Sequence, residues 1–171
     1  MGIIPGIFRK LEFHSSHLFV MRKAYDSQYD LWELPIADIE FDPKDRDDIP
    51  TVLMGLQALY VDAKIRKKIF EILERYVRPE VGHLHGRPGM DLWRIFVLAV
   101  VKTTLNCDID RLTNLANNHR TLRQMLGHAD FSDRTRYQRQ TLIDHISLLT
   151  EEALLEINEV VVECANAHMR D

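Results

Sequence analysis

Apolar residues in this chain recur mostly at three- and four-residue spacing, the period of one face of a helix, and no window alternates as a multi-stranded sheet requires. The pattern predicts helices over 51–59 and 61–77. In the second, Ile65, Ile69, Ile72, Leu73 and Tyr76 form one stripe, while Lys64, Lys67 and Lys68 fall away from it. Arg78-Pro79 is expected to end that helix, because the residue before proline resists the helical conformation. Residues 90–105 are apolar on nearly all sides and read as the central buried helix.

Past that point the helix ends are marked. Asn106 to Asp108 supplies a break and an N-cap for a short amphipathic helix carrying Ile109, Leu112, Leu115 and Ala116. Thr121 with Gln124 matches a capping box, and Gly127 is placed to stop the helix that follows it. Ser132 is expected to cap a helix running to about 149, and Thr150 to cap the last one. The sequence therefore predicts an all-α fold, a multi-helix bundle of about six or seven helices with a helix-turn-helix-like centre.

Upstream the picture is different. Residues 1–20 show no clear periodicity and read as an upstream extension or loose arm, with Met21 as an alternative start. Residues 21–50 read as an acidic extended lead-in, broken by Pro35, Pro43 and Pro50 and pinned to the core by Trp32, Ile36, Ile39 and Phe41. Residues 51–171 form the helical domain proper.

Composition narrows the classes. The chain is 46% hydrophobic and 28% charged, an ordinary globular balance. Cys107 and Cys164 are far apart and lack metal-ligand spacing, which argues against a disulfide framework and for a reducing compartment, hence a cytoplasmic location. The apolar run from Ile95 to Val101 lies between Arg94 and Lys102 and is too short for a bilayer span, and neither a secretory leader nor a lipidation signal is legible. A net charge of -4 argues against a grip on nucleic acid by the whole chain. The charge is unevenly spread: 26–48 and the C-terminal stretch are acidic, while Lys64, Arg66, Lys67 and Lys68, and then Arg120, Arg123, Arg134, Arg136 and Arg139, are basic clusters.

The second cluster carries the functional expectation. Two short helices, 109–118 and 122–126, joined by a tight polar turn, have the outline of a helix-turn-helix, which an ordinary helical hairpin shares. With Leu122, Met125 and Leu126 facing the core, Arg123 and Gln124 are expected outward, with Arg120 just ahead. Arginine matches a guanine edge and glutamine an adenine edge. On the helix expected after Ser132, Arg134, Tyr137, Gln138 and Thr141 gather opposite Leu142, Ile143, Ile146 and Leu149, a basic strip with an outward aromatic. Packing of Tyr137 on a neighbouring helix, and pairing of Arg139 with the acidic C-terminal stretch, are the structural alternatives. The DNA-binding set expected from sequence is thus Arg120, Arg123, Gln124, Arg134, Arg136, Tyr137 and Gln138.

Other chemistry is set aside. His83 and His85 lack a third metal ligand and read as loop polars. Asp108 and Asp110 are explained as an N-cap and a first-turn acid, and Cys107 with His119 lacks an orienting third group. Neither a catalytic residue nor a metal site is assigned.

Several of these segments together resemble a known family. Gly86-Arg87-Pro88-Gly89, Leu92 to Leu98, Asp108 through Leu115 and Leu122-Arg123-Gln124-Met125-Leu126-Gly127 follow in order the layout of the N-terminal domain of bacterial insertion-sequence transposases of the InsH type. Ser132 to Leu142 resembles the Arg-rich helix that follows it, and the lead-in with Asp45-Arg46-Asp47-Asp48-Ile49-Pro50 resembles the "not classified yet" insertion-sequence group. The resemblance covers most of 21–171. It implies a helical region that recognises terminal inverted repeats, joined in the family to a ribonuclease-H-like domain with three carboxylates around two divalent metals. No segment here corresponds to that domain. The expectation is therefore a portion that is not catalytic alone and has no cofactor of its own, whose partner is transposon-end DNA, and which is either a truncated product or one part of an active enzyme whose catalytic domain lies outside this sequence. The apolar and acidic last helix, with Leu154, Leu155, Ile157, Val160, Val161 and Val162, supports the alternative of a protein-interaction module that oligomerises with itself or with full-length transposase.

Overall fold

The helix at the centre of the molecule, Leu92–Thr104, is enclosed on almost every side: Leu92, Trp93, Ile95, Phe96, Val97, Leu98, Ala99 and Val101 are all buried. A computed structural model describes residues 34–42, 48–77, 89–129 and 133–168, the side chains of 165–168 excepted. Within them the chain forms a short 3-10 turn, Ile36–Asp38, and seven α-helices, and no strand occurs among the described residues. The helices are α1 Asp48–Val61, α2 Ala63–Tyr76, α3 Leu92–Thr104, α4 Ile109–Asn118, α5 Arg120–Met125, α6 Arg139–Ile146 and α7 Glu151–His168. The expected all-α bundle is what the chain forms.

Around α3 the other helices make a cage: α1, α2, α4 and α6 touch it directly, α5 bridges α1 and α4, and α7 packs on α2. An aromatic cluster knots three of them together, with Tyr60 of α1 4.7 Å, Phe70 of α2 6.4 Å and Phe96 of α3 5.8 Å from the Trp93 ring. Tilted ring pairs of this kind add stability beyond the apolar area they bury. The predicted stripe of α2 faces this core through Ile69, Ile72 and Leu73, and Lys64, Lys67 and Lys68 are exposed.

The lead-in is partly tied down. Ile36 and Ile39 are buried and Phe41 is half-buried, as expected, whereas Trp32 lies outside the described residues. The tie is polar as well: the side-chain amide of Gln57 on α1 donates to the carbonyls of Ile36 (2.8 Å), Ala37 (3.2 Å) and Ile39 (3.0 Å). Residues 1–33, with the expected loose arm, and 78–88, with His83 and His85, also lie outside the described residues.

Helix ends differ from expectation at three places. The first helix starts at Asp48 and not at 51, because Pro50 falls in its first turn, where a missing N–H breaks no hydrogen bond. The fifth is not opened by a Thr121–Gln124 capping box. Its N-cap is His119, whose Nδ1 accepts from the Leu122 N–H at 3.2 Å, so the helix begins at Arg120 and Thr121 is inside it. The sixth does not run from 132. Residues 133–138 form no regular element, Gln138 has an extended backbone, and α6 starts at Arg139. The other caps are as read: Asp108 accepts from the Arg111 N–H at 2.7 Å, Thr150 from the Ala153 N–H at 3.4 Å, and Gly127 ends α5 at φ 74°, a left-handed conformation that suits glycine.

Candidate nucleic-acid interface

A single residue, His119, joins α4 to α5. It is the C-cap of the first, with its N–H on the Leu115 carbonyl at 2.8 Å, and the N-cap of the second. Leu112 and Ala116 of α4 and Leu122 and Met125 of α5 turn inward. The far end of α5 is then fixed by α3: the Trp93 indole N–H donates to the Met125 carbonyl (3.0 Å) and the Arg94 Nε to the Leu126 carbonyl (2.7 Å). These carbonyls would otherwise be among the unpaired groups of a helix C-terminus. Asp91 holds Arg94 in place at 3.2 Å, and burial pushes the Asp91 carboxyl up against the opposing pull of Arg94.

After the Gly127 turn the chain returns as an irregular arm, 133–138, laid across α5 and α4. Its attachments are side chain to backbone. Arg123 of α5 donates to the carbonyls of Asp133 and Thr135, each at 3.1 Å. Asn117 of α4 acts as a substitute strand: its amide donates to the Tyr137 carbonyl at 3.0 Å and its oxygen accepts from the Tyr137 N–H at 2.8 Å. Arg136 closes back onto the Asn117 carbonyl at 2.5 Å. An irregular segment thereby has the carbonyls of Asp133 and Thr135 and both backbone groups of Tyr137 satisfied by side chains.

Beneath the arm lies a buried polar chain. His128, 4% exposed, has its Nδ1 on the Asp133 carboxylate and its Nε2 2.7 Å from the Tyr137 hydroxyl. Burial pushes the imidazole pKa below its ordinary value, helped by the Arg94 and Arg123 charges and opposed by Asp133. Partial burial acts to raise the Asp133 carboxyl, but hydrogen bonds from Thr135 and His128 outweigh it and hold it at about 2. Burial pushes the Tyr137 phenol well above its usual range. The connectivity of hydroxyl, imidazole and carboxylate is that of an acid–base relay. A raised and enclosed phenol is nonetheless a poor nucleophile, so the group works as a lock that fixes the arm.

These contacts redistribute the residues expected to meet DNA. Gln124 does not point outward: it is 8% exposed, because α5 is flanked by both α1 and α4 and more than one side of it is covered. Tyr137 is not an outward aromatic, since the arm is not helical and the ring turns inward onto His128, 5.4 Å between centroids. Arg123 is half-buried and occupied by arm carbonyls. Arg120, Arg134, Arg136 and Gln138 are exposed, and Arg134, Arg136 and Gln138 are carried side by side on the arm. Arg139 pairs with Asp110 of α4 at 2.8 Å and not with the C-terminal helix, whose Glu156 instead meets Arg75 of α2 at 2.7 Å. Asn117, His128 and Asp133 were not singled out from sequence. Their partners lie up to 20 positions away, and no local pattern announces a side chain that bonds a distant backbone.

Among the described residues no group of three or more His, Cys, Asp or Glu is placed to hold a metal ion, and no described helix is long and apolar enough to cross a membrane. Burial raises the Cys107 thiol, which opposes its use as a nucleophile. Comparison with protein-family models, curated proteins and solved structures finds no match to this chain. The functional reading therefore rests on the residues themselves.

Proposed function

We propose that this chain is a DNA-binding helical domain and, following its resemblance, the N-terminal portion of an insertion-sequence transposase that engages the terminal inverted repeats. The observation that carries the reading is the fixed arm: Arg134 and Gln138 are exposed on an irregular segment whose backbone is already bonded to α4 and α5, and exposed Arg136 beside them spends one N–H on the Asn117 carbonyl and keeps the rest of its guanidinium outward. Cations presented on an immobilised backbone lose little entropy when they meet phosphates, which favours a binding role over a merely solvated surface. Neighbouring Arg120 adds to the same basic region, and the one nearby acid of α4 that faces it, Asp110, is neutralised by Arg139.

The test is a titration of the full chain against a short random-sequence duplex, followed by fluorescence anisotropy at several salt concentrations. The expected result is a linear fall of log affinity with log salt, with a slope that drops by about 1 for Arg134→Ala. Affinity that is absent at low salt, or a slope indifferent to loss of both Arg134 and Arg136, would overturn the proposal.

A second reading has its own observation. Leu155 and Val162, seven residues apart on α7, are 58% and 48% exposed beside half-buried Val160 and Val161. Such a stripe suits association with a second helix, in this chain or in a longer relative. Sedimentation of the purified chain as a monomer at all accessible concentrations, alone and mixed with that relative, would remove this reading.

A further inference from the structure

The outer side of α4 is built from residues that a surface helix has little reason to use. Asn114, Asn117 and Asn118 put three amides into one ten-residue helix, although asparagine is a weak helix former whose side chain competes for backbone groups. Asn117 is accounted for by its two hydrogen bonds with the Tyr137 backbone. Asn114 and Asn118 are exposed, and their side chains make no hydrogen bond among the described residues. At about 100° per residue, they and Arg111 fall within one arc of roughly 60°, turned away from Leu112 and Ala116. All three are exposed, and the arm runs along their edge, with the Arg136 guanidinium on the Asn117 carbonyl.

We infer that this amide face of α4, Asn114 and Asn118 with Arg111, is the base-reading surface of the domain, and that the arginines of the arm are its phosphate contacts. The inference rests on the DNA-binding reading above and moves the reading element from α5, where a helix-turn-helix outline puts it, to α4. The shorter helix is unfit to read bases, since it has six residues, its Gln124 is enclosed and its Arg123 is engaged by carbonyls. An exposed asparagine amide offers a donor and an acceptor side by side, the complement of adenine N6 and N7, and arginine complements guanine. The major groove of B-form DNA admits a helix with such a face, whereas the deep, narrow major groove of duplex RNA does not. The ligand is thus a DNA duplex with adenine within the contacted steps.

The experiment is selection from a randomised duplex pool by the full chain and by the Asn114→Ala/Asn118→Ala variant, with affinity for a random duplex and its salt slope measured in parallel. Because both side chains are exposed and unbonded among the described residues, the variant is expected to melt no lower than the parent, which a thermal scan checks. The parent should enrich an adenine-containing motif. Each Asn→Ala should lower affinity for the enriched site by about tenfold and flatten the preference at one position, leaving random-duplex affinity and salt slope unchanged. If the parent binds duplex with a salt dependence but enriches no motif, or the variant enriches the same motif equally well, the inference fails and DNA binding stands. Preference for structured RNA over duplex DNA also sinks it. Absence of any salt-dependent duplex binding defeats the DNA-binding reading itself, and this inference with it.

Discussion

Two regions of this molecule are held together by different physics. Around α3 the contacts are apolar and many, and no single one decides the structure: leucine, isoleucine, valine and aromatic side chains interlock from four neighbouring helices. Across the arm at 133–138 the contacts are polar and few, and each is specific: one amide, two guanidiniums and one imidazole fix six residues of irregular chain. A packed core degrades gradually when a contact is lost, because its neighbours relax into the space. A polar clamp fails more locally, because each of its bonds holds one backbone group, and removing one partner hands that part-buried group to solvent and frees the chain around it. The site proposed to meet DNA has been placed on the second kind of support.

Perturbing each region in turn sharpens the contrast. The largest effect is expected in the core, where Phe96→Ala should cost about 3–5 kcal/mol of global stability by the cavity it opens, read as the urea midpoint of a single cooperative transition. A smaller loss is expected from Asn117→Ala, about 1–2 kcal/mol for its two part-buried hydrogen bonds to the Tyr137 backbone, partly offset by the better helix propensity of alanine. Its signature is local: the amide of Tyr137 should exchange with solvent faster while amides of α3 keep their protection. Should α3 exchange rise equally, the arm belongs to the core and the two regions are one.

The smallest effect is a pH dependence. The imidazole of His128 has a folded pKa below its unfolded value of about 6.5. Its contribution to stability is therefore complete above that value and is lost as pH falls through the folded pKa, because the unfolded chain takes up the proton first. Asp133, held at about 2, contributes stability that is present above the ordinary carboxylate range and is lost only on much stronger acidification. Between pH 7 and pH 5 the parent should thus lose stability that His128→Asn does not, measured as the difference between their urea midpoints. Parallel curves over that interval would show that protonation of His128 is not linked to folding.

The same division explains what could be read from sequence. Apolar periodicity reports burial directly, so α2, α3 and α4 were legible from Ile69, Phe96 and Leu112 and their neighbours, and the local caps at Asp108, Gly127 and Thr150 were legible from residue type. The arm was not. Tyr137, Gln138 and Thr141 share an apparent helical face in sequence, and nothing local says that Asn117 will satisfy the backbone at 137 and keep it out of a helix. The same blindness placed Gln124 outside, since nothing local says that α1 and α4 will flank α5 on two sides. Arginine type and position carried over better than orientation: Arg134 and Arg136 are exposed as expected, and Arg123 is not free to follow them.

The joint at His119 has a mechanical consequence. A connection one residue long, capping both of its helices, has no slack, so α4 and α5 behave as a single bent lever. A load that tilts α4 is delivered to the end of α5, where the indole of Trp93 is bonded to the Met125 carbonyl. The indole of Trp93 is thus a native fluorophore at the foot of the lever, and in a Trp32→Phe background a shift of its emission on loading α4 is the expected sign of that coupling.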